Sequence, residues 1–168
     1  MNQYSNGSRD TKMSDMRKRT RTTDWGRAGI LYARVALGAA FLSAVASRFG
    51  LWNKTLDLKH FANFIEYAAE VNSFLPRSVI PCVAVAATIW ETSLGILLIL
   101  GLWPRWVSLA SAVLLAVFGA AMAISFGLKS PMDYSVFSAS GAAVLLALDA
   151  PRQKNQQSLN RGMGEESK

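Results

Sequence analysis

Apolar residues fall into four blocks along this chain, at positions 28–47, 78–102, 106–128 and 133–149, and the stretches between and beyond them carry nearly all the charge. Three blocks are long enough to be transmembrane helices, since about 20 apolar residues rising 1.5 Å each cross roughly 30 Å of hydrocarbon. The fourth is marginal. As a helix, Tyr134 to Leu148 reaches only about 22 Å, so it must tilt, borrow a flanking residue or thin the bilayer. Between the first two blocks the pattern changes: Leu58, Phe61, Ala62, Ile65, Ala68 and Val71 recur at helical spacing opposite Lys59, Asn63, Glu66 and Glu70. This predicts an amphipathic helix, too short and charged to span, lying on the membrane surface as a lid, with Asn72 to Pro76 turning the chain back in. Trp103-Pro104-Arg105-Trp106 makes a tight return, because proline disfavours helix at the residue before it. Lys129 to Asp133 makes another turn, with Asp133 placed to cap the last helix.

The fold class is therefore all-α: a four-transmembrane-helix bundle with an amphipathic surface helix between spans 1 and 2. Residues 28–150 form the membrane domain. Residues 1–27 and 151–168 are polar, bring too little apolar surface to fold alone, and are expected to be disordered cytoplasmic tails. Ala44-Val45-Ala46 before Ser47 resembles a signal-peptidase site, but the apolar stretch is long and interrupted by Arg34, so the segment is read as a retained first span.

Two ionisable groups lie well inside spans, Arg34 and Glu91. A charge at bilayer depth costs several kcal/mol, so such groups normally face a bundle interior and have partners. Glu91 shares a helix face with Ala84, Ala87, Thr88 and Gly95, small residues that admit a neighbouring helix. It is expected to face inward and to couple to Arg34, directly or through water. The alternative is a neutral Glu91 without that partner, because the two heights differ and antiparallel side chains at these positions lean apart. In the first span, Ala36, Ala40 and Ala44 repeat every fourth residue and predict the close-packing face, while Arg34, Gly38, Phe41, Val45 and Arg48 line another. Ser135, Ser138 and Ser140 are expected to hydrogen-bond between helices.

Composition narrows the chemistry. The chain has 168 residues, 51% of them hydrophobic, with 18 basic against 11 acidic side chains. The basic residues sit mainly in flanks of apolar spans, which points to a bilayer and away from nucleic acid. Arg9, Lys12, Arg17, Lys18, Arg19, Arg21 and Arg27 fall with Arg105, Arg152, Lys154, Arg161 and Lys168 on one side; Arg48, Lys54, Lys59, Arg77 and Lys129 fall on the other. The richer side is the cytoplasmic one, so both termini are expected there. One cysteine, Cys82, and one histidine, His60, allow neither a dithiol pair nor an iron–sulfur cluster within the chain, and no metal site is read.

Several short motifs occur in order: Arg34-x-x-x-Gly38-x-x-Phe41-Leu42, Arg48-Phe49-Gly50-Leu51-Trp52, Glu91-x-x-x-Gly95, Leu100-Gly101-Leu102-Trp103-x-Arg105, and the run Gly127 to Ser140. Together they resemble the DoxX-like family of small four-helix membrane proteins, over about Arg27 to Leu148. The resemblance implies a bacterial inner-membrane protein, some of whose relatives are subunits of membrane oxidoreductase systems such as thiosulfate:quinone oxidoreductase. Three functional readings are open. The first is a non-catalytic subunit or anchor for a soluble or membrane oxidoreductase, with no cofactor of its own. The second is a quinone-linked oxidoreductase component, with Arg34, Trp90, Glu91 and Tyr134 as candidate lining residues. The third is a small-molecule or proton transporter.

Overall fold

In a computed structural model the described chain is helical almost throughout. The structure describes the backbone of residues 4–53 and 58–165 and the side chains of residues 25–52 and 59–150. Six α-helices are present among these residues: α1 (Tyr4–Arg48), α2 (Leu58–Val71), α3 (Ile80–Leu100), α4 (Pro104–Phe126), α5 (Lys129–Asp133) and α6 (Val136–Glu165). Trp25–Arg48 of α1, together with α3 and α4, are long and apolar enough to cross a membrane, and Val136–Ala150 of α6 is a shorter apolar stretch.

The chain divides into two units, Met1–Ala33 and Arg34–Lys168. In the first, the described side chains include Trp25, Leu31 and Tyr32, all exposed, as suits lipid-facing or interfacial positions. The second contains the bundle. Backbone in both segments expected to be disordered, 1–27 and 151–168, is helical over the stretches that α1 and α6 cover. Extending an existing helix fixes one residue per added hydrogen bond, so a span can propagate into a polar flank without a new nucleus. The side chains of residues 1–24 and 151–168, including most of the basic tail, lie outside the described residues.

Sharp turns define the bundle's connections. α3 ends at Gly101 (φ 72°), whose N–H donates to the Leu97 carbonyl, as a left-handed helix terminus requires. Trp103 is also left-handed (φ 42°), and Pro104 then begins α4, where the missing N–H would have had no helical partner. After Gly127 (φ 81°) comes α5, whose Asp133 pairs with Lys129 within the same helix instead of capping α6; Ser135, at φ 54°, precedes Val136.

α4 and α6 are in extensive contact. Gly119 makes this possible: a Cβ there would stand 2.7 Å from the Phe137 ring. Ser140 donates to the Ala112 carbonyl at 2.9 Å, the expected cross-helix bond, whereas Ser135 and Ser138 are exposed. α2 is the expected amphipathic helix. It lies against one end of the bundle, with Ala68 buried against Ile80 and Ala84 of α3, and with Val71 against Ala121 and Met122 of α4. Phe64 faces this core and Ala62 is exposed, so the apolar stripe is rotated slightly from the one read in the sequence.

The packing face of α1 also differs from expectation. Ala36, Ala40 and Ala44 are exposed, while Leu37, Gly38 and Phe41 are buried. Glycine explains the choice, because it permits closer approach than alanine. A Cβ on Gly38 would stand 2.7 Å from Ile99 and 2.8 Å from the Gly95 carbonyl oxygen, and one on Gly95 would stand 3.1 Å from the Gly38 carbonyl oxygen. The two backbones touch here, and alanine rows cannot compete with that contact.

Candidate functional site

α1 and α3 run antiparallel through the Gly38–Gly95 contact, which brings Arg34 to the last turn of α3 and Arg48 to its middle. Glu91 is buried at 2% exposure, facing inward as expected. Its partner, however, is Arg48. The Arg48 Nη2 donates to Glu91 Oε1 at 2.8 Å and lies 2.7 Å from Oε2, and Nη1 donates to the Thr88 hydroxyl at 3.0 Å. Thr88 passes its own hydrogen to the Ala84 carbonyl, so the hydroxyl is held as an acceptor for arginine. Phe64 of α2 covers the guanidinium, with its ring centroid 3.9 Å from Cζ, a cation–π contact that also excludes water.

The expected coupling of Glu91 to Arg34 is thus replaced. Helical side chains lean toward their own N-terminus, so in antiparallel helices Arg48 leans back along α1 while Glu91 leans toward the α2 end, and the two converge. Arg34 leans the same way along α1 but lies on the far side of Glu91, so it points away from that carboxylate. Its Nε and Nη2 donate to the Leu98 carbonyl at 3.2 and 3.0 Å, satisfying one of the four carbonyls that a helix C-terminus leaves open. A cation there also suits the negative end of the helix dipole. Gly101 is needed twice at this point, for its left-handed backbone and because a Cβ would collide with the Arg34 guanidinium.

Sequence reasoning missed the role of Arg48 by treating it as a flanking charge that set orientation. The signal was available in its shared face with Arg34, Gly38, Phe41 and Val45. Of the four residues considered as a quinone lining, Arg34 and Glu91 belong to separate contacts, while Trp90 and Tyr134 are 58% and 70% exposed. The structure does not gather them. No cluster of metal-ligating side chains occurs among the described residues.

Beside the Arg48 guanidinium, α2, α3 and α4 leave a cavity of about 170 Å³. Its walls are chiefly apolar, including Val83, Ala87, Val117 and Phe118, and Arg48, Tyr67 and Asn72 supply polar groups. Partial burial, with Tyr134 and Glu70 nearby, pushes the Tyr67 phenol above its usual pKa, so it is an O–H donor at neutral pH. Two buried polar atoms among the described residues make no hydrogen bond, Ser108 Oγ and Glu91 Oε2, and the second lies within ion-pair distance of Arg48.

Residues 26–135 match the family model described as methylamine utilisation protein MauE. The match includes Arg34, Arg48, Glu91, all of α2 and the cavity, and it ends at Ser135 just before α6. No curated protein and no solved structure matches the chain.

Proposed function

The chain belongs to the MauE family, and from that premise we propose that it is a non-catalytic membrane component serving methylamine utilisation, docking an oxidoreductase partner at the bilayer. The family match over 26–135 carries this reading. Its support from chemistry is that the ionisable groups inside the bundle have structural partners: Arg34 closes a helix end, while Arg48, Thr88 and Glu91 join α1 to α3. With one cysteine and one histidine in 168 residues, the chain has no dithiol pair and too few ligands for an iron–sulfur cluster of its own.

The test is genetic. Deleting the gene in its source organism is expected to abolish growth on methylamine as sole nitrogen source and leave growth on ammonium unchanged, with recovery on complementation. A tagged chain taken from native membranes in mild detergent should bring down a redox enzyme. Equal growth on both nitrogen sources would overturn the proposal.

The finer DoxX-like resemblance enters here as an architectural reading. Arg34, Gly38, Arg48, Glu91 and Gly95, which carry that resemblance, are the residues at the α1–α3 joint, and we read them as marking a shared four-helix plan. We also place the protein in a bacterial inner membrane with four spans and both termini in the cytoplasm, on the asymmetry of basic flanks. Reporters of periplasmic and cytoplasmic location fused after Asn53, Pro104, Ser130 and Lys168 should read outside, inside, outside, inside. An outside reading at Lys168 would overturn this orientation.

A further inference from the structure

We infer that the cavity between α2, α3 and α4 is a binding site for a small uncharged apolar molecule carrying a hydrogen-bond-accepting oxygen, held against the Arg48 guanidinium.

Size comes first. A cavity of about 170 Å³ is comparable to the roughly 150 Å³ apolar cavity that accepts benzene, so the occupant is one substituted ring or a compact branched molecule. The walls of Val83, Ala87, Val117 and Phe118 suit an apolar body. Donors at the polar edge select its oxygen. Arginine has five N–H donors, and among the described residues this guanidinium donates to Thr88 and Glu91 only, through Nη1 and Nη2. The Arg48 side chain is 12% exposed and lines the cavity, so unspent N–H groups remain for a ligand, with the Tyr67 hydroxyl as a further donor.

Charge decides between an anion and a neutral acceptor. Glu91 already neutralises Arg48, and a second anion would leave an uncompensated negative charge among apolar walls. A carbonyl or ether oxygen takes an arginine N–H without changing the charge. Preorganisation favours the same answer, because Phe64 on one side and Thr88 and Glu91 on the other fix the guanidinium before any ligand arrives. The site is independent of which metabolic system the protein serves.

The experiment uses the full chain in lipid nanodiscs and three ring-fluorinated probes: acetophenone, ethylbenzene and benzoate. Fluorine NMR should show saturable binding of the acetophenone, about tenfold weaker binding of the ethylbenzene for want of the charged hydrogen bond, and at least tenfold weaker binding of the benzoate. Ala87→Leu and Val117→Phe, which fill the cavity, should each weaken acetophenone binding by about tenfold or more, with circular dichroism confirming that the variant read is helical. Absence of saturable acetophenone binding, or unchanged binding in a folded cavity-filling variant, would overturn the site. Binding of all three probes with equal affinity would overturn the role of Arg48.

Discussion

Methionine in place of Arg48 is expected to destabilise the protein by about 3 kcal/mol, the lower end of the loss incurred when one member of a buried ion pair is removed. Glu91 is 2% exposed and would lose its ion-pair partner. The double variant Arg48→Met with Glu91→Leu should lose much less than the sum of the single variants, because two apolar side chains replace the pair without a stranded charge. Arg34→Met, by contrast, frees only the Leu98 carbonyl at the other end of α3, so its loss should add to that of Glu91→Gln within about 0.5 kcal/mol. Reversible unfolding in mixed detergent micelles, titrated with a denaturing detergent, measures all of these. Additive losses for Arg48 and Glu91 would remove their coupling from the account.

Leucine at Gly38 is expected to have an effect of the same order, for a steric reason. Its Cβ alone would stand 2.8 Å from the Gly95 carbonyl oxygen, a backbone atom that cannot move aside as a flexible side chain can. Overpacking of this kind costs about 1 to 3 kcal/mol before secondary losses. Here secondary losses add to it, because separating α1 from α3 stretches both the Arg34–Leu98 and the Arg48–Glu91 contacts. Leucine at Ala40, on the exposed face of the same helix, should change stability by no more than about 0.5 kcal/mol. The same unfolding assay compares them. Equal losses at Gly38 and Ala40 would mean that the packing face has been misassigned.

These two expectations also mark where the sequence was informative. Apolar length located the three long helices and the shorter fourth, and the change of period at Leu58 located α2, because each reflects a solvent boundary that hydrophobicity reports directly. Within the bilayer that signal fades. Lipid and helix interface are both apolar, so hydropathy could not say which side of α1 was buried, and the alanine row at 36, 40 and 44 was as plausible a packing face as the one holding Gly38. A single glycine meeting another decided it, and that meeting depends on the register of two helices far apart in sequence.

The partner of Glu91 was hidden for a different reason. Arg34 was the only other ionisable group well inside a span, whereas Arg48 lies at the end of α1, where a basic residue is ordinarily an anchor. The direction of side-chain lean on antiparallel helices already disfavoured Arg34 and, extended to Arg48, would have found the pair. The cavity was not legible at all. It needs α2 to settle across α3 and α4, and no spacing within one helix encodes that.

Arg48, and not Arg34, holds Glu91 inside the bundle, and solid-state NMR in lipid tests this most directly. With nitrogen-labelled arginine and carbon-labelled glutamate, the Glu91 carboxyl signal, assigned by its loss in Glu91→Gln, should be strongly dephased by guanidinium nitrogens, as a contact of 2.7 to 2.8 Å between nitrogen and oxygen requires. That dephasing should vanish in Arg48→Lys and persist in Arg34→Lys; persistence in the first and loss in the second would contradict the account.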